Sequence, residues 1–288
     1  MKYAFIAEHV EAHSASALCS VIGVSTSGYY DWRQRRDKPS ERANRTQAID
    51  TVVKQCFERK KQRYGSPRVA LELVKTGCGY NEKTVAESMK RQGLVAKAGR
   101  KFKATTNSKH TLGVAPNLLE QDFTTSAANQ KWCGDITYLW TPEGWLYLAT
   151  VLDLFSRKII GWSMNAHMTS DLVCDALQMA LQRRDYPTDV IVHTDRGSQY
   201  CSKLYQRLIK KHELQCSMSK KGDCFDNACA ETFFHTLKVE AIHGENIPTR
   251  ELMREAVFEF IELDYNRTRM HSALGYLSPL AFELQESA

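Results

Sequence analysis

The nine cysteines of this chain include no Cys-x-x-Cys pair, and their number is odd, with members as far apart as Cys19, Cys133 and Cys216. That scatter excludes a disulfide framework and points to reduced thiols. His9 and His13, in HVEAH, offer half a zinc site, but no cysteine pair follows at a spacing that completes a tetrahedron. Apolar runs approaching about eighteen residues are also lacking, and Met1-Lys2-Tyr3-Ala4-Phe5 leads into polar sequence instead of a signal peptide's apolar stretch. A cytoplasmic protein with no membrane segment is expected.

Acid is scarce at the front. Residues 1–120 hold 22 Lys and Arg against 11 Asp and Glu, a net charge of +11, whereas residues 121–288 hold 17 against 22, a net of −5. The total of +6 hides this asymmetry, and the front half is built to meet a polyanion.

ASALCSVIGVSTSGYYDWRQR, with apolar spacing near a helical period and a break at Gly23, suggests a first helix-turn-helix within residues 1–60. A clearer one occupies 61–97. SPRVALELVKTG forms a helix ended by glycine, and Asn81 caps EKTVAESMKRQ, which buries Val85 and Met89 and exposes Lys83, Thr84, Lys90 and Arg91 to a DNA groove. A small helical domain with a solvated basic face has the same pattern. From Lys90 to Lys109 there are seven Lys or Arg and no acid. Residues 98–124 therefore read as a basic linker whose Arg100, Lys101 and Lys103 could track a DNA backbone; a solvated hinge has the same composition.

After Asn129 the pattern becomes strands and helices. WCGDITYLW, GWLYLATVLDLF and RKIIGWSMN predict an antiparallel meander, followed by helix, strand, helix, strand and helix. The fold class expected for 125–245 is α/β, a mixed five-stranded sheet with flanking helices, behind an all-helical DNA-binding region. Residues 246–288 are expected to be one long amphipathic helix and a polar tail.

Three carboxylates stand out by position. Asp135 lies inside the first strand, Asp195 ends the fourth beside Gly197, and Glu231 sits in the first turns of the third helix. If strands one and four are neighbours, the three converge; divalent cations would relieve their repulsion and clamp a scissile phosphate. Taken singly, each has an ordinary explanation as an ion pair, a cap or a surface acid. Asp226 is the alternative third ligand, and Asp226 or Asn227 the expected helix cap. Asp153 is expected to pair with Arg157 or serve a turn. His193 either lies beside the metals or is a buried, hydrogen-bonded histidine.

WCGDITYL, HTDRGSQY and KGDCFDNACAETFFHTLKVE, with 35 residues between Asp195 and Glu231, resemble the signatures of DDE transposases and retroviral integrases. YGSPRVALELVKTG, GWLYLATVLDLFSRKIIGW and YNRTRMHSALGYLSP resemble motifs of the OrfB-type transposases of the IS-three family. The likeness covers nearly the whole chain. It implies a ribonuclease H-like integrase core with Asp135, Asp195 and Glu231 as catalytic, metal-binding triad, two Mg²⁺ ions for which Mn²⁺ substitutes, and a bacterial, nucleoid-associated enzyme. The implied reaction is DNA transposition, with binding of terminal inverted repeats, strand cleavage and joining of the 3′-hydroxyl to target DNA. A multimer, and partnership or fusion with OrfA, are implied as well.

Glu231, His235 and Lys238 share one helix face, at offsets of four and seven residues. With Glu231 on the metals, Lys238 is expected to contact a terminal DNA phosphate, and His235 to touch DNA or fill space. Phe233, Phe234 and Leu237 anchor the helix. Lys220 and Lys221, with Gly222, form a basic loop expected to touch DNA; solvation alone explains it too. A structure-selective nuclease with the same core, or a DNA-binding regulator with a dead one, are the other readings. Two helix-turn-helix candidates weigh against the first, and the intact triad against the second.

Overall fold

The computed structural model describes residues 1–36, 38, 40–97, 114–220 and 227–286. Arg100, Lys101, Lys103, Lys221 and Asp226 lie outside the described residues. Two compact units result, Met1–Ala96 and Lys97–Ala288.

The first unit is helical. α1 (Lys2–His9), α2 (Ala15–Ile22) and α3 (Thr26–Arg36) close over Ile6, Cys19 and Tyr29. Ser14 caps α2, and Gly23 takes the left-handed conformation that ends it (φ 69°). α4 (Glu41–Arg59), α5 (Ser66–Lys75) and α6 (Glu82–Arg91) form a second group. Asn81 caps α6 by accepting the Thr84 N–H at 2.8 Å, and Val85 and Met89 are buried. α4 differs from expectation. It is one long helix that buries Ile49, Val53 and Phe57, packs on α5 and α6, and ties to them through Lys60–Glu72 and Arg91–Asp50 pairs. A boundary at residue 60 therefore separates a helix from the partners that complete its apolar face.

The second unit is a five-stranded sheet in the order β3-β2-β1-β4-β5. β1 (Lys131–Thr141), β2 (Gly144–Asp153) and β3 (Ile159–Asn165) make the antiparallel meander, turning at Gly144 (φ 106°). β4 (Ile191–Thr194) lies parallel to β1, and β5 (Gln215–Met218) parallel to β4. α7 (Ser170–Arg183) and α8 (Lys203–Lys211) cover one face over Trp132, Ala149 and Val192. Gly161 permits the approach of α7, since a Cβ there would stand 2.1 Å from the Ala176 carbonyl oxygen. On the other face α9 (Ala228–Leu237) and α10 (Arg250–Phe258) bury Phe233, Leu237, Met253 and Val257 over Cys133, Leu139 and Leu148. This is the ribonuclease H-like arrangement, a mixed sheet between two helical layers.

The C-terminal segment departs from the single helix expected. α10 passes into a π-helical turn (Glu259–Tyr265), a short 3₁₀ turn (Ser272–Leu274) and α11 (Pro279–Glu286). Phe260, Ile261 and Tyr265 join the core under α9, so the segment completes the second unit's core. No helix among the described residues is long and apolar enough to cross a membrane.

Candidate active site

β1 and β4 run side by side only from Lys131 to Gly134, in register with Ile191 to Thr194. Asp135 and Asp195 each follow the last residue paired between these two strands. They therefore stand at the same level, where β4 ends while β1 runs on to Thr141. The Asp135 carboxylate accepts its neighbour Ile136 N–H at 2.8 Å, and that of Asp195 accepts the Gly197 N–H at 2.9 Å. Glu231 approaches from α9, held by Phe233, Phe234 and Leu237, which are buried against the sheet.

The charges of Asp195 and Glu231 both act on Asp135, whereas Glu231 itself shows only the effect of burial. Burial pushes the Asp135 carboxyl well above the usual carboxylate range, the charge of Asp195 raises it further, and Glu231 adds to the effect. The Ile136 N–H and the Lys238 ammonium oppose the rise. Desolvation also raises Glu231, although that residue lies on the exposed side of its helix. Lys238 is pulled down by burial, against the attraction of Asp135. Among the described residues no three His, Cys, Asp or Glu side chains stand in a ligating arrangement. The donor chemistry nonetheless suits a hard cation: the charges of Asp195 and Glu231 bear on the buried Asp135 carboxyl, and the Lys238 ammonium opposes them.

Lys238 sits at the junction of α9 with a π-helical turn, Lys238–Ile242. Its Nζ lies 5.1 Å from the centre of the Tyr138 ring and within electrostatic reach of Asp135. His235 is exposed on the same helix. Asn227 begins α9 without a side-chain cap, and its Oδ1 instead accepts from the Cys133 thiol at 2.6 Å. Of the two places considered for His193, the structure gives the buried one. Its Nδ1 pairs with the Ser217 hydroxyl at 2.8 Å and its Nε2 with Ser219 at 3.3 Å, beneath the sheet's end. Asp153 pairs with Arg184 at 3.2 Å, not with the Arg157 side chain; Arg157 contributes only its backbone N–H, to the Asp153 carbonyl.

Sequence reasoning passed over Tyr200. It is buried, and its hydroxyl is raised by burial first and then by the charges of Asp135 and Asp195, which places it against the acids. Its place at the end of HTDRGSQY was the available signal. In the first unit, Lys83 and Lys90 are exposed on α6 and Thr84 is half-buried. Arg91 is engaged by Asp50 of α4 at 2.7 Å, and the Arg91 hydrogen bond holds the Asp50 carboxyl below its usual value. Lys220 is exposed just after β5.

Comparison with known proteins follows this geometry. Two models described as integrase core domain match residues 125–224 and 231–286, and an HTH-like domain model matches 44–102. Transposase InsF for insertion sequence IS3A of Escherichia coli (strain K12) is 58% identical over 283 residues, 98% of each chain. Transposase InsF for insertion sequence IS3fB of the same strain is 57% identical over 288 residues, the whole of both chains. The HTLV-2 integrase catalytic core domain in complex with magnesium aligns with 56% of this chain and 99% of that one, at 16% identity and a TM-score of 0.43.

Proposed function

We propose, from the premise that the chain belongs to the IS3 family of insertion-sequence transposases as an OrfB-type member with an integrase core, that Asp135, Asp195 and Glu231 carry its chemistry. The activity of such a core is DDE-type DNA strand cleavage and strand transfer. The observation that supports the assignment is the adjacency of Asp135 and Asp195, each one residue past the paired positions of β1 and β4, with the charges of Asp195 and Glu231 both acting on Asp135.

Those carboxylates would hold two Mg²⁺ ions, with Mn²⁺ as substitute. When bound, the metals supply Lewis acidity to the attacking water or 3′-hydroxyl and to the leaving oxygen. The chain's own part is positioning. β1 and β4 fix two acids on rigid strands, α9 brings the third, and Lys238 places a cation beside Asp135 where a strand's phosphate can be oriented. Lys83, Thr84 and Lys90 on α6 offer contacts to the terminal inverted repeats, and Lys220 and His235 further contacts near the core. The proposed reaction joins a freed 3′-hydroxyl of an element end to target DNA. It would take place on the nucleoid, in a multimer that pairs the ends, with OrfA as partner or fused domain.

Incubation with labelled terminal-repeat DNA and Mn²⁺ or Mg²⁺ tests this. Nicked and joined products together support it. Hydrolysis of DNA without joining would favour a nuclease, and binding with neither product a regulator.

A further inference from the structure

β1 outruns β4. Among the described residues its pairing with β4 stops at Gly134, and along the stretch beyond it a row of groups leads away from the acids. Lys238 Nζ stands 5.1 Å from the Tyr138 ring, Tyr138 lies 5.1 Å from Trp145, and Trp145 lies 4.8 Å from Trp140. Trp140 and Trp145 are opposite one another in the β1–β2 register, beside the Pro142-Glu143 turn that closes the hairpin. They are 58% and 42% exposed, unusual for indoles in a sheet whose other faces are covered. Their rings meet edge to face, at 70°, which leaves outward π surface on the pair.

We propose that Tyr138, Trp145 and Trp140 form a stacking platform for unpaired bases of the DNA strand whose phosphate reacts at Asp135. This rests on the strand-transfer reading above. Tyr138 is three residues from Asp135, so its side chain belongs to the other face of β1, and Lys238, which acts on Asp135 and stands over the Tyr138 ring, links the two across the strand; the separation along the strand is about 10 Å, one or two nucleotides of an extended single strand. The charge sequence along the row matches such a strand. A cation at the inner end suits a phosphate, and neutral aromatic faces further out suit bases, which stack on indoles whatever their identity. A strand led to the acids must part from its complement at the element's end, and stacking offsets that unpairing. Trp140, Trp145 and Tyr138 are thus positioning residues for the known reaction, and they select for a locally opened DNA end.

The test uses the full chain carrying Trp140→Ala, Trp145→Ala, both together, and the matching Phe variants. Affinity is read by anisotropy of a labelled oligothymidylate about twelve nucleotides long, in an Asp135→Asn background so that no chemistry intervenes. The double Ala variant should bind about tenfold or more weakly, with the Phe variants close to the parent. With Asp135 restored, the double Ala variant should cleave fully paired element ends about tenfold more slowly, and ends with mismatched terminal pairs nearly as fast as wild type. Unchanged oligothymidylate affinity, or equal losses on paired and mismatched ends, overturns the platform. Equal losses with a smaller sedimenting species would assign the surface to contact between copies instead. If wild type itself neither cuts nor joins ends, the strand-transfer reading fails, while the oligothymidylate arm still judges the aromatic row.

Discussion

Arg269 and Glu240 form a two-pronged ion pair, at 2.7 and 2.9 Å, with both residues buried. Glu240 lies in the π-helical turn that follows the helix of Glu231, and Arg269 in the YNRTRMHSALGYLSP segment. The pair fastens the C-terminal segment to the turn that positions an active-site helix. Removing one partner leaves a buried charge uncompensated, which costs about 3–5 kcal/mol. Arg269→Ala should therefore lower stability in a denaturant titration by that order, and Arg269→Lys should recover only part, because one ammonium cannot replace the guanidinium fork.

Asp135→Asn, Asp195→Asn and Glu231→Gln preserve size and remove charge. Each should abolish cleavage and joining while leaving binding to terminal-repeat DNA largely intact. Near wild-type joining in Mg²⁺ by any one of them would remove that residue from the triad. In the case of Glu231, Asp226 would be tested next.

On α6 the three basic positions should not behave alike. Lys83→Ala and Lys90→Ala should each reduce the slope of log affinity against log salt by about one, the signature of a lost phosphate contact. Arg91→Ala should mainly destabilise the first unit, since its guanidinium is committed to Asp50. Gel-shift titrations at several salt concentrations, paired with thermal melts, separate the two outcomes. An Arg91 variant that melts normally and loses one unit of salt slope would reverse this assignment.

Glu283 anchors α11. Burial raises its carboxyl, but hydrogen bonds from Arg184, Lys158 and Ser156 outweigh that and hold it below the usual value. A depressed carboxyl contributes stability that is present above its unfolded pKa, about 4.3, and lost as pH falls through the lower folded value. Glu283→Gln should thus lower the melting temperature at pH 7, and the gap between variant and wild type should narrow below about pH 4. A gap that stays constant to pH 3 would count against the charge as its source.

What could be read from sequence follows the range of the interactions involved. Alternation and turn residues are local, so the meander, the following helices and strands, and the Asn81 cap were all legible before any coordinates. The pairing of β1 with β4 was open from sequence as one arrangement of a mixed sheet, and the structure adopts it, with Asp135 and Asp195 at one level. Contacts between distant positions were not. Asp153 takes Arg184, which is 31 residues away, in preference to the nearby Arg157 side chain, because α7 brings Arg184 to the end of β2. The periodicity of residues 250–265 is helical throughout, yet the backbone widens into a π-helical turn at Glu259; hydrophobic spacing does not distinguish the two. Nor did the apolar face of α4 declare which neighbours would cover it. The seat of Lys238 over the Tyr138 ring joins positions far apart in the chain and has no signature in the helix that carries the lysine.

The sheet's outermost strands have a further consequence. At β3, the Asn266 side chain accepts the Ile159 N–H at 3.0 Å and donates to the Ile159 carbonyl at 2.9 Å, doing with an amide what a sixth strand would do. At β5, the Pro116 carbonyl takes the Met218 N–H and the Ser217 hydroxyl takes the Leu118 N–H. Each rim thus has main-chain groups already satisfied from within the same polypeptide. A stray extended segment looking for a template finds those positions taken, which guards these rim positions against ladder extension into aggregates.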